Sequence, residues 1–371
     1  MKNIAEVVSH FNCAANAKSQ TAYGSGHIND TFLLKNLVSG GGDYLLQRIN
    51  DKIFTNVEKL TDNMQKVTEH LKSKIEAMGY GDPSKEVMTL IPTDDNRFFY
   101  KDSTGNYWRM LHYLSGTKSY DVVNTPKQAY EGGKAFGKFQ YMLSDIPPGE
   151  MYEVIPDFHN IQKRLQHLDE AIQRDTHGRL ASVNAELDIV RQYAQSMQYF
   201  QDPENVASLS KRVIHNDTKF NNVLLNSKDE AQCVIDLETV MDGYVAYDFG
   251  DAVRTIINTT TEDEADLEKI QLNMPLFEAF VKGYLKEASK FLTDEEVNSL
   301  MKGALLLPYM QAVRFLTDYI NGDTYFKVKF EGHNLQRARA QFQLVKMLDA
   351  NADQMHQIIA NEMDFHKTAS R

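Results

Sequence analysis

The segment His215-Asn-Asp-Thr-Lys-Phe-Asn-Asn222 concentrates the residue types that phosphoryl transfer requires. An aspartate followed five residues on by an asparagine lets Asp217 receive the proton of an attacking hydroxyl while Asn222 offers a neutral oxygen to Mg²⁺. Lys219 then places a cation where negative charge spreads over the oxygens of the transferring group. The apolar run Cys233-Val-Ile235 ends at Asp236, a second carboxylate for the metal. Glu238 follows, and strand alternation would turn both carboxylates to one side. At a separation of ~4 Å and an effective dielectric of ~20 they repel by about 4 kcal/mol. A divalent cation offsets that repulsion.

A nucleotide's phosphates need a second group of residues. Tyr23-Gly-Ser-Gly-His27 supplies a glycine turn, with Gly24, Ser25 and Gly26 as the phosphate cover, although Asn29 stands where a third glycine is usual. In Leu45-Leu-Gln-Arg48 the register turns either Gln47 or Arg48 toward the phosphates, and charge favours Arg48. A glutamate partner for that cation would come from the following helix, as Glu58 or Glu69. The adenine is expected against the backbone of 111–114, which brings in His112 and Leu114. Asp248-Phe-Gly250 has the letters of the protein-kinase metal motif but lies too far beyond Asp217. Asp248 is therefore expected to cap or hydrogen-bond the loop beneath the site.

The elements that must position these residues fall into two patterns. Up to residue 113, alternating β-branched and aromatic runs predict an antiparallel sheet of five strands, with hairpin connections at Ser39-Gly-Gly-Gly-Asp43 and Ser103-Thr-Gly-Asn106. Between them Val57, Leu60, Met64, Val67 and Leu71 recur at helical spacing, and Gly79 supplies a stop. From 114 to 371 long helical periods dominate. Thr125-Pro126 starts one helix, with Ala135, Phe136, Phe139 and Leu143 on its buried stripe, and Thr293-Asp-Glu-Glu296 is a capping box for a helix running toward Asn321-Gly322. The short apolar runs of 212–240 interrupt this half to carry the chemistry.

Composition narrows the field further. A 371-residue chain with 42% hydrophobic residues and 10% aromatics has enough apolar surface for two cores. The net charge of −11 argues against a nucleic-acid surface, whose affinity rests on clustered Lys and Arg. The longest apolar stretches, such as 303–310, fall well short of the ~20 residues of a membrane span. Residues 1–10 lack a signal-peptide core, so a cytoplasmic location is expected. Cys13 and Cys233 form neither a metal knuckle nor a disulfide framework, and no protein partner is implied.

Taken together, His215-x-Asp217 with Asn222, Ile235-Asp236-x-Glu238 and Tyr247-Asp248 resemble the aminoglycoside phosphotransferase and choline kinase superfamily over nearly the whole chain. The runs 23–31, 46–50, 215–219 and 236–241, with Arg314-Phe-Leu-Thr-Asp-Tyr319 and Gly322-Asp-x-Tyr-Phe326, look like the N-acetylhexosamine 1-kinases. That resemblance implies a bilobal, protein-kinase-like α+β fold, with a small sheet lobe over 1–113 and a mostly helical lobe over 114–371. It implies ATP and Mg²⁺ as cofactors, the anomeric hydroxyl of N-acetylglucosamine or N-acetylgalactosamine as acceptor, and sugar contacts at His27, Arg314 and Tyr325. Glu238, where relatives often carry Asp, departs from the pattern. Read without the family, Arg314 and Asp318 are simply an i,i+4 pair on a helix surface, stabilising it by about 0.3 kcal/mol. Aminoglycosides, choline and other cationic alcohols are rival acceptors, which the acidic stretch Thr261-Glu-Asp-Glu-Ala-Asp266 would favour. Outside enzymes, Gln47 at the phosphate position allows a nucleotide-binding pseudokinase.

Overall fold

The computed structural model describes residues 4–24 and 28–369, and the chain divides into two compact units. The first comprises Met1–Lys118, Asp145–Pro156 and Leu224–Met241; the second comprises Ser119–Ser144, Asp157–Val223 and Asp242–Arg371. The pattern change after residue 113 thus marks only the first crossing, which falls at Lys118. Two later segments return to the first unit because its backbone and side chains bind them. Lys118 bridges to Leu225, and the buried Asn63 amide donates to the carbonyls of Tyr152 and Val240.

Among the described residues the first unit is built on an antiparallel sheet of six strands: β1 (Thr21–Ala22), β2 (Asp30–Leu34), β3 (Tyr44–Ile49), β4 (Leu90–Ile91), β5 (Tyr100–Lys101) and β6 (Tyr107–His112). They run in the order β1-β2-β3-β6-β4, with β5 on β6. Five were expected. Two-residue strands such as β4 are too short to show alternation, and the predicted run 97–101 pairs only at its last two residues. Register places Thr31 opposite Gln47 and Gln47 opposite Arg109, a row across three strands on one face. The other face carries Leu34, Leu46, Trp108 and Met110, packed under helix α1 (Ile4–Ser9) through Ile4, Val7 and Val8.

Helix α2 (Val57–Met78) follows from its sequence directly. Asn56 accepts from the Lys59 N–H at its start, and Gly79 ends it at φ 68°, a left-handed turn that costs glycine little. Leu60, Met64, Val67 and Leu71 are buried, each contributing about 1.5–3 kcal/mol.

The second unit is helical. Thr125 caps the helix Pro126–Leu143, which packs against the helix Met274–Ala288. Their backbones approach so closely that a Cβ on Gly283 would lie 1.9 Å from the Tyr130 carbonyl oxygen. The predicted capping box is present: Thr293 and Glu296 exchange side-chain and backbone bonds at the start of the helix Asp294–Ile320. That helix packs on Val245–Ile256 and His333–Ala350. Among the described residues no helix is long and apolar enough to cross a membrane.

Candidate active site

In the second unit the strand Arg212–Ile214 delivers the loop that begins at His215, and Asp248 organises it. The Asp248 carboxylate is 1% exposed. Its Oδ2 accepts from the His215 N–H at 2.9 Å and from Gln140 Nε2 at 2.9 Å, and its Oδ1 accepts from the Asn216 N–H at 2.7 Å. Burial raises its pKa against the pull of these donors and of His215. Asn216 adopts φ 65°, a strained conformation for a side chain, so the loop needs such fixing. The expected role of Asp248 beneath the site therefore holds. His215 packs edge-on to Phe136 and Phe139.

This frame presents Asp217, whose side chain is 23% exposed. Lys219 Nζ lies 3.2 Å from its Oδ2. Asn222 donates through Nδ2 to the Asp217 carbonyl at 2.8 Å and to Oδ2 at 3.4 Å. With its amide nitrogen so committed, Asn222 keeps Oδ1 to offer a cation. In the first unit Asp236 holds a left-handed turn at φ 65°. Among the described residues no cluster of three or more His, Cys, Asp or Glu could cage a metal. The Asn222 Oδ1 and the Asp236 carboxylate are each hard oxygens of the kind that divalent cations take as ligands.

Glu238 does not join Asp236 as a metal ligand in waiting. Its side chain is buried and paired with the Arg109 guanidinium, and Oε1 also accepts from Asn29 Nδ2 at 2.6 Å. The carboxylate repulsion expected from the sequence is thus met by a protein cation. Burial pushes the Glu238 carboxyl up to about 7 against the pull of Arg109.

The cation on the sheet also differs from expectation. Arg48 lies on the face that carries Trp108 and is held there by Asp30 at 2.5 Å and Asn106 at 3.4 Å. Gln47 lies on the α2 face, where its Oε1 accepts from Arg109 Nε at 2.8 Å. Strand β6 therefore supplies the buried cation that charge arguments assigned to β3. Neither Glu58 nor Glu69 is its partner, since both are exposed on α2; the α2 side chain that reaches Arg109 is Met64, through sulfur.

Gly24 sits at φ 78°, and Ser25, Gly26 and His27 lie outside the described residues. Beside Gly24, Tyr23 meets Tyr113 edge-on. The His112 and Tyr113 N–H groups are used by the carbonyls of Thr89 and Asp43. Leu114 N–H has no partner among the described residues. His112 itself stacks on Tyr44, on the α1 face.

Arg314 is not paired with Asp318. Its guanidinium donates to Gln311 and lies over the rings of Tyr325 and Phe326. Asp318 is 4% exposed and accepts from the N–H groups of Thr324, Tyr325 and Phe326 and from Asn334. It thus folds the loop that displays Tyr325, which is 61% exposed. Two further residues escaped sequence reasoning. His159 bonds the Asn216 carbonyl at 3.1 Å and meets the Tyr247 ring at a tilt. Arg164 is lowered to about 10 by burial first and then by the charge of Arg314, and the two arginines also pull His159 down behind its burial.

A phosphotransferase enzyme family model matches residues 19–285, and the chain belongs to that family. The fold is shared with an aminoglycoside phosphotransferase from Alicyclobacillus acidocaldarius (TM-score 0.61, 15% identity, covering 95% of this chain and 96% of that one). It is also shared with the amicoumacin kinase hAmiN (0.60, 10%, 92% and 92%) and a choline kinase from Cryptosporidium parvum (0.56, 13%, 94% and 94%). The bilobal kinase-like α+β architecture is thereby established, and the chain is a small-molecule phosphotransferase.

Proposed function

We propose that the chain is an ATP- and Mg²⁺-dependent kinase that phosphorylates the anomeric hydroxyl of an N-acetylhexosamine. The observation that carries the transfer step is Asp217: part exposed, on a loop fixed by Asp248, with Lys219 at 3.2 Å and Asn222 bonded to it. Asp217 orients the acceptor hydroxyl and takes its proton as the oxygen attacks the γ-phosphorus in line. Lys219 faces the charge that grows on the phosphoryl oxygens. Asn222, through Oδ1, and Asp236 are the residues that would each offer an oxygen to Mg²⁺, whose charge would offset that of the nucleotide's phosphates. The related amicoumacin kinase was solved with AMP-PNP and Ca²⁺, which supports a nucleotide and a divalent ion here. Gly24, Ser25 and Gly26 cover the phosphates, Leu114 meets the adenine beside His112, and Arg48 gives way to Arg109 as the cation behind the phosphates.

For the acceptor, Arg314 and Tyr325 offer directed donors and an aromatic face for an uncharged sugar, with His27 as a further contact. The Arg314 charge, which acts on Arg164 although Asp157 opposes it there, supports this reading over cationic alcohols. The acidic stretch that favoured a cation is also engaged: Glu262 pairs with Arg254, and Asp263 with Lys329 and His333. Asp217→Asn tests the transfer step. Turnover should fall at least 1,000-fold with ATP affinity within about threefold of wild type; near-normal turnover would remove Asp217 as the base.

A further inference from the structure

The row Thr31, Gln47, Arg109 crosses three strands in register, and each member bonds the next. Gln47 Nε2 donates to Thr31 Oγ1 at 3.1 Å, and Arg109 Nε donates to Gln47 Oε1 at 2.8 Å. The row ends on Glu238, two residues beyond Asp236, through the Arg109 guanidinium. From Glu238 the chain of bonds returns to Asn29 and Ile28, a few residues after Gly24. Asn29 donates to Glu238 Oε1 at 2.6 Å, while its own Oδ1 accepts from the Asn50 N–H at 3.0 Å. Asn50 in turn donates to the Ile28 carbonyl at 3.4 Å. One end of this circuit lies just after Gly24 in the chain, and the other at the left-handed turn of Asp236. Its centre is a buried ion pair, rigid because neither Arg109 nor Glu238 has water to turn to.

We propose that Glu238 and Asn29 are positioning residues that fasten the glycine turn to the turn carrying Asp236, so that phosphate affinity and metal affinity are set together. The proposal rests on reading Asp236 as a metal carboxylate and the Gly24 turn as the phosphate cover. With Glu238 committed to Arg109 and Asn29, Asp236 alone of the two carboxylates is left for the ion. Asn29, standing where a third glycine is usual in such turns, is the residue through which the turn is held. A glycine there would have no side chain to reach Glu238.

Calorimetry on the full-length protein tests this with three titrants: ATP with Mg²⁺, ATP with EDTA, and adenosine. Asn29→Ala, at a half-buried position that should tolerate truncation, is expected to weaken Mg²⁺-ATP about tenfold and adenosine by less than twofold. Glu238→Gln, which keeps the shape facing Arg109, is expected to do the same. Asn29→Ala/Glu238→Gln should be no worse than the weaker single variant, because both break one connection. Parallel losses of adenosine and Mg²⁺-ATP, or additive losses in the double variant, would overturn the proposal. Unchanged Mg²⁺-ATP affinity in Asn29→Ala, with metal dependence lost only in Glu238→Gln, would instead make Glu238 a ligand. Wild-type protein that binds no nucleotide would remove the kinase reading beneath it, whereas wild-type binding with indifferent variants removes the fastening alone.

Discussion

Asp248→Asn isolates what holds the catalytic loop. The buried carboxylate accepts three bonds, two through Oδ2 from His215 N–H and Gln140 Nε2 and one through Oδ1 from Asn216 N–H. An amide keeps one oxygen and puts an NH₂ where the other stood, so at least one donor meets another donor. Bonds to a charged acceptor contribute about 1.5–3 kcal/mol each, and the remaining ones weaken with loss of charge. The expected destabilisation is therefore about 3–4 kcal/mol, read as a lower urea midpoint at unchanged slope. Asn216, at φ 65°, loses the group that holds its N–H, and Asp217 is displaced with it. A shift of ~1 Å in a catalytic group costs on the order of 100-fold in rate. Turnover measured at low temperature, where the variant is folded, should fall by about that factor. Stability within 0.5 kcal/mol of wild type together with near-normal turnover would refute the claim that Asp248 positions the loop.

Other expectations follow from the same geometry. Burial holds His159 down to about 4, while an unfolded histidine titrates near ~6.5. Its contribution is therefore complete above pH ~6.5 and declines as pH falls toward 4, by about 3 kcal/mol at most; urea midpoints from pH 4.5 to 7 should show this slope, flattened in His159→Gln. Asp318→Ala leaves three backbone N–H groups and the Asn334 amide without their acceptor. It should cost about 2–4 kcal/mol and raise the acceptor KM while leaving the ATP KM within twofold. Gly283→Ala drives a methyl into the Tyr130 carbonyl and should lower the thermal midpoint sharply, whereas Gly149→Ala, a surface glycine with open space around it, should act only through its positive φ.

Local chemistry was readable in the sequence because its residues are close along the chain. The 215–222 loop, the Asn56 and Thr125 helix starts, the Gly79 stop and the Thr293 capping box all depend on spacings of a few residues. Arg109 was not readable in that way. Its partners Gln47, Met64 and Glu238 come from β3, α2 and a distant turn, and only the sheet register brings them to one face. The Arg48 assignment erred for the same reason, since charge cannot say which face of a strand a residue takes. Arg314 and Asp318 have the spacing of a surface pair, yet the chain reverses at Gly322 and Asp323, both at positive φ, and gives Asp318 three better donors. The proposed uncharged acceptor draws likewise on Arg164 and Arg314, which come from packed helices far apart in sequence.

Phosphorus NMR of products formed from ATP and Mg²⁺ with N-acetylglucosamine, N-acetylgalactosamine, galactose, choline and kanamycin tests the central claim most directly. An anomeric sugar phosphate from either N-acetylhexosamine, with little or no turnover of choline and kanamycin, is the predicted result. Turnover confined to choline or kanamycin would contradict the sugar assignment, and nucleotide binding with no product from any of the five would contradict catalysis on these acceptors altogether.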